Sequence, residues 1–161
     1  MDVIEAQAEH LDALSVLLDR YRQFYGKASD LASAESFVRA RLAARDAVFL
    51  IARVERDQGD LAAGFAQLFS SFSTVAGTRI LLLGDLYVQP SLRRQGVGRA
   101  LIRKAKQYAQ SHRFSGIKLD TQDSNRVARA LYESEGFQEL HGVRQYFLPL
   151  SEAHWLTRFF R

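Results

Sequence analysis

The chain has 161 residues, 47% of them hydrophobic and 25% charged, the length and balance of one compact globular domain over 1–161 rather than of two domains or a disordered tail. It contains no cysteine, so disulfides, zinc–thiolate centres and cysteine nucleophiles are excluded together. A formal charge of +4 points toward an anionic partner, and charge alone leaves nucleic acid, a membrane surface and a phosphorylated ligand open.

The first residues, Met1-Asp2-Val3-Ile4-Glu5, carry no basic segment leading into an apolar run, and no stretch approaches the roughly 18 apolar residues of a membrane span. A soluble, cytoplasmic protein is expected. Residues 3–6 read as a short strand. Leu11, Leu14, Leu17, Leu18, Tyr21 and Phe24 recur at three- and four-residue spacing, which predicts an amphipathic helix over 11–25. Ala34, Phe37, Val38 and Leu42 repeat that pattern behind Ser33, which reads as the N-cap of a second helix. Two apolar segments, 48–55 and 63–71, flank the polar turn Asp57-Gln58-Gly59-Asp60 and predict a hairpin. The run Ile80-Leu81-Leu82-Leu83 within 79–88 predicts a strand buried on both faces. A helix over 97–112, a strand over 117–121, a helix over 126–135 and a last strand over 144–150 complete a mixed α/β sheet. Beyond it, Trp155, Leu156, Phe159 and Phe160 would share one helical face, either covering the core or forming a contact in a homodimer.

Between the buried strand and the helix at 97 lies the turn Arg93-Arg94-Gln95-Gly96-Val97-Gly98, with Arg99 just beyond. A strand-to-helix turn presents unpaired backbone N–H groups at the positive end of a helix dipole, so it suits an anion. Without a Cβ, Gly96 and Gly98 would let a phosphate approach the backbone, and Arg93, Arg94 and Arg99 would neutralise charge at its rim. The same two glycines could instead only shape a tight connection. The turn has neither the Lys-Ser/Thr of a P-loop nor the G-x-G-x-x-G of a dinucleotide fold. His10, His112, His141 and His154 fall in no pair with metal-ligand spacing, so no metal site is expected. The basic cluster matches no recognised nucleic-acid module, and neither nucleic acid nor membrane is expected as a partner.

Leu86-Tyr87-Val88-Gln89-Pro90 followed by the turn and Arg99-Ala100-Leu101-Ile102 resembles the signature of the GNAT superfamily of acyl-CoA N-acyltransferases, and the block from Asn125 to Phe137 resembles that family's second hallmark. The resemblance implies a mixed, mostly antiparallel central sheet with splayed fourth and fifth strands, flanked by the four predicted helices. It implies acetyl-CoA as co-substrate, with pantetheine on the main chain of Leu86 and Val88, pyrophosphate on the backbone N–H groups of Arg94, Gln95, Gly96, Val97, Gly98 and Arg99, and Arg93 as the basic residue of the cofactor-binding signature. Asn125 would be a polar contact to the cofactor arm. Tyr132 would be the acid that serves the departing thiolate; helix spacing alone favours a core tyrosine, and the Asn125 to Phe137 context favours the catalytic reading. The function implied is transfer of an acetyl group to a primary amine of a small molecule, polyamine or peptide, with a non-catalytic acyl-CoA-binding module as the alternative. Phe65 to Ser73 together with Asp85-Leu86-Tyr87-Val88 looks similar to a small subgroup that acetylates histone tails and polyamines.

The base for the amine departs from the pattern, because related polyamine and aminoglycoside enzymes often carry a carboxylate at the position of Gly84. Asp85 is the nearest carboxylate. Strand alternation sends its side chain to the opposite face from Gly84 unless the strand bulges there. Asp85 therefore reads either as the base or as part of a structural ion pair, with Tyr87, Glu35 and Asp120 as further candidates acting through water.

Overall fold

The computed structural model describes residues 1–57, 59–146, 148 and 150. Alternation along β2 (Val48–Val54) sets the layering: Phe49 and Ile51 point to one side of the sheet, Leu50 and Ala52 to the other, and all four are buried. β1 (Asp2–Glu5) and β3 (Leu61–Ser73) flank it, and β4 (Thr78–Val88) and β5 (Ile117–Lys118) extend the sheet in the order β1-β2-β3-β4-β5. Pairing is antiparallel up to β4, and β4 with β5 is parallel.

On one face, Phe49, Ile51, Phe65 and Tyr87 pack against Leu14, Leu17 and Leu18 of α1 (Leu11–Phe24) and Ala34 and Val38 of α2 (Leu31–Ala44). On the other, Leu50, Ala52, Ala66, Leu68, Leu81 and Leu83 pack against Val97, Leu101 and Ala105 of α3 (Val97–Ser111). The last helix, α4 (Arg126–Ser134), follows β5. Each fully buried large aliphatic or aromatic side chain contributes roughly 1.5–3 kcal/mol, so these two apolar layers hold the sheet far more firmly than exposed ion pairs such as Arg41–Asp46.

The α/β class, the hairpin and the four helices stand as the sequence predicts, with local differences. α2 is capped by Asp30, whose Oδ1 accepts from Ser33 N–H at 2.9 Å, so Ser33 supplies a donor from the third helical position instead of capping. Around 80–83 only Leu81 and Leu83 are buried, whereas Ile80 and Leu82 are half-buried; the stretches buried on both faces are Phe49 to Ala52 of β2 and Ala63 to Leu68 of β3. β5 has two residues instead of five, because its pairing with β4 ends at Leu82 and Lys118. Arg144, Gln145 and Tyr146 carry no strand, and the rest of the predicted last strand is only partly described; the predicted tail helix lies outside the described residues.

Candidate active site

The ladder between β3 and β4 slips by one residue: Gln67 pairs with Asp85 and Leu68 with Leu83, leaving Gly84 as the extra residue of a bulge. Side-chain parity changes there. Leu81 and Leu83 face α3, and so do Leu86 and Val88, while Asp85 and Tyr87 turn to the α1–α2 side. The bulge that the Asp85 reading required is present.

Asp85 lines a cavity of about 340 Å³ between the sheet, α1 and α2, with Leu18, Tyr21, Arg22, Ser33, Phe37 and Gln67. Burial raises its carboxyl above the ordinary range, and a hydrogen bond from Tyr21 partly offsets this. Tyr21 itself is held far above the usual phenol value, first by burial and then by the Asp85 charge. Its ring meets Tyr25 edge-on at 5.0 Å, Phe65 at 5.8 Å and Tyr87 at 6.0 Å.

The connection between α1 and α2, two of the walls of this cavity, is held by Asp19, a buried carboxylate that accepts from Asp30 N–H at 2.7 Å, Ser29 Oγ at 2.7 Å and Gln23 Nε2 at 2.8 Å. The Asp30 hydrogen bond is the main reason that its pKa is lowered. The link ties the end of α1 to the residue that caps α2.

On the opposite edge of β4, no strand among the described residues pairs with it beyond Leu82. Gln89 N–H donates to Ala63 carbonyl across the β3 ladder at 2.9 Å, so the main-chain groups of Leu86 and Val88 point away from β3, toward the side that β5 has left. Val88 carbonyl accepts from Arg93 Nε at 3.1 Å, and the Arg93 guanidinium lies 5.3 Å from the Phe24 ring centroid. Arg94, with φ of 60°, and Gly96, with φ of 84°, then turn the chain into α3. The first helical hydrogen bond is from Ala100 N–H to Gly96 carbonyl, so the N–H groups of Val97, Gly98 and Arg99 have no partner within the helix. Gln95 Nε2 braces the turn on Ser91 carbonyl at 3.1 Å, and the Val97 side chain is buried. A Cβ on Gly96 would touch nothing, so its glycine answers to backbone conformation; a Cβ on Gly98 would sit 3.1 Å from Leu131 Cδ2, so there the glycine admits α4.

The family model for the acetyltransferase (GNAT) family matches residues 13–137. The chain belongs to the GNAT acetyltransferase family. It is 40% identical over 148 residues, 92% of this chain and 97% of the other, to the uncharacterized N-acetyltransferase YhfO of Bacillus subtilis (strain 168). A thialysine N-epsilon-acetyltransferase of Bos taurus is 36% identical over 83 residues, 52% of this chain and 48% of its own. The crystal structure of a probable acetyltransferase superposes with a TM-score of 0.86 at 38% identity, covering 94% of this chain and 99% of that one.

In this GNAT acetyltransferase the basic cluster is partly committed to structure. Glu135, 6% exposed in its side chain, receives Arg99 Nε at 3.0 Å and Arg103 Nε at 3.2 Å, and Lys106 Nζ donates to its carbonyl at 2.9 Å. The Arg103 hydrogen bond foremost, then the charges of Arg103, Arg99 and Lys106, lower the Glu135 pKa against the opposing effect of burial, and the three bonds clamp the end of α4 to α3. Arg99 is thus engaged through its side chain, which leaves its backbone N–H as the group at the turn. Asn125 caps α4, with Oδ1 accepting from Ala128 N–H at 3.3 Å.

Tyr132, on α4, packs against the α3-side core and near Phe137, at 5.8 Å between rings. Its pKa is pushed up to about 12, mainly by burial, with a contribution from Tyr25. It borders a larger cleft of about 1020 Å³ between α3, β5 and α4, separate from the cavity that Asp85 lines. Tyr25, whose ring meets Tyr21 at 5.0 Å, contributes to the raised pKa of both Tyr21 and Tyr132. Of the other base candidates, Glu35 pairs with Arg39, Asp120 borders the larger cleft, and Tyr87 is buried against Tyr21. The sequence reading missed Tyr25 and Gln67 and took Tyr21 for core; the signal available was a pair of tyrosines at i and i+4, which shares one helix face.

Proposed function

We propose that this acetyltransferase moves the acetyl group of acetyl-CoA onto a primary amine within a ternary complex. The observation that carries the proposal is the parting of β4 from β5 beyond Leu82, next to a helix N-terminus with three N–H groups that lack helical partners. The open main-chain edge at Leu86 and Val88 suits an amide-bearing arm, and the turn from Arg94 to Arg99 suits a pyrophosphate. The thialysine and aminoglycoside relatives, by their names, act on amines.

In this reading acetyl-CoA supplies the thioester. The amine must reach it neutral, because a protonated amine has no lone pair to form the new C–N bond. Asp85, with its carboxyl raised by burial, takes the proton that the nitrogen loses. As the C–S bond breaks, its electron pair goes to sulfur. Tyr132, at about 12, is protonated throughout the neutral range and lies above the ordinary thiol value of about 8.5. Full proton transfer to sulfur is therefore uphill, and Tyr132 serves as a hydrogen-bond donor to the developing negative charge while solvent completes protonation of the thiol.

The test is thiol release from acetyl-CoA over a panel of polyamines, aminoglycosides, amino acids and basic peptides. The absence of cysteine gives a background free of protein thiol. Amine-dependent release is expected; bound acetyl-CoA with no release across the panel contradicts the proposal.

A further inference from the structure

The cavity at Asp85 bears on the identity of the amine, on the reading that this chain acetylates one. Gln67 stands opposite Asp85 in the ladder and is 1% exposed. Gln67 lines that cavity, and its Nε2 is a buried atom with no hydrogen-bond partner among the described residues. A buried N–H without a partner is rare and costly, and on a side chain that lines a cavity a small turn of the amide lets an occupant satisfy it. Arg22, which carries a permanent positive charge and only donors, borders the same space. Leu18 and Phe37 supply apolar wall.

An aliphatic polyamine fits this lining poorly. It offers only N–H groups and positive charge, so it would leave Gln67 Nε2 unmatched and bring like charge to Arg22. An amine with a carboxylate close by matches each group: the nitrogen toward Asp85, one oxygen on Gln67 Nε2, and the negative charge toward Arg22. We propose that the cavity is an acceptor subsite for an amino-carboxylate, whose amine is acetylated and whose carboxylate is recognised by Gln67 and Arg22.

The experiment uses the full chain with saturating acetyl-CoA and matched substrate pairs: L-lysine with cadaverine, L-ornithine with putrescine, L-alanine with ethylamine. Each pair differs only by the carboxylate. The amino acid is expected to exceed its decarboxylated partner in kcat/KM by about tenfold or more, the scale of a hydrogen bond to a charged group. Gln67→Leu, which keeps the volume and removes the donor, should lower kcat/KM for the amino acids about tenfold more than for the plain amines. Equal or better turnover of the plain amines overturns the subsite and leaves the amine-acetylation reading standing; the wild-type pairs decide this even if the variant does not fold. If no member of any pair is acetylated, amine acetylation fails for these substrates and calorimetric titration of the wild type with the same amino acids decides the subsite. Absence of binding overturns it, and binding that is lost when lysine is replaced by lysinamide supports it.

Discussion

Asp85 stands opposite Gln67 in the β3–β4 ladder while its neighbour Gly84 stands opposite nothing. One extra residue therefore turns a carboxylate, which simple alternation would have placed with Leu81 and Leu83 on the α3 side, onto the face where α1 and α2 enclose a cavity. Bulges re-aim side chains in this way, and here the side chain re-aimed is the candidate base.

Replacing Asp85 by Asn is expected to lower kcat/KM by about a hundredfold or more, the scale of lost general-base assistance. Because burial raises the Asp85 pKa, the acid limb of the wild-type pH profile should lie above the ordinary carboxylate range. The sign for stability is opposite to that for activity. A carboxyl whose pKa is raised on folding destabilises the folded state above that raised value and has no such effect once both states are protonated. Asp85→Asn should therefore raise the melting temperature near neutral pH, with the gain vanishing below the ordinary carboxylate range. A pH series of thermal melts checks this, and a variant that melts lower at neutral pH contradicts it.

For Tyr132→Phe, the expected result is a fall in kcat of about ten- to a hundredfold with KM for acetyl-CoA nearly unchanged, as for an interaction made only as the C–S bond breaks. With its pKa near 12, Tyr132 should produce no alkaline limb in the neutral to mildly basic range. Steady-state kinetics separate the two parameters. Wild-type kcat in the variant removes Tyr132 from the mechanism.

Asp19→Ala leaves Asp30 N–H and Ser29 Oγ without their acceptor, and is expected to cost about 1–3 kcal/mol in denaturant unfolding. As the loss frees the start of α2, which borders the Asp85 cavity through Ser33 and Phe37, KM for the amine should rise more than KM for acetyl-CoA. Equal increases in both would place the effect elsewhere.

Gly96→Ala forces a Cβ onto a backbone with φ of 84°, which is expected to cost about 1–2 kcal/mol and to weaken acetyl-CoA binding. At Gly98 the conflict is instead with one terminal methyl of Leu131, so Gly98→Ala should destabilise by less if that side chain yields a few tenths of an ångström. Chemical denaturation and acetyl-CoA titration of the two variants test the ranking.

Local chemistry explains what could be read without coordinates. The spacing of Leu11, Leu14, Leu17 and Leu18 already specifies a helix face, the Asp57 to Asp60 turn already joins two strands, and Gly96 already marks the entry to α3, because periodicity and turn geometry depend on residues close in the chain. The turn at Gly96 also belongs to one of the two blocks that carry the family resemblance, and both blocks lie within the residues 13–137 that the family model matches. Register between strands is a different kind of fact. The slip at Gly84 depends on how Gln67 and Leu68 pair with residues about 15 or more positions away, and the early parting of β5 depends on where pairing stops. The tertiary structure therefore decided which way Asp85 points. It also brought Tyr21, which helix spacing read as core, together with Tyr25 and Gln67, which no local pattern marked, since burial and hydrogen-bond satisfaction are set by partners that only folding supplies.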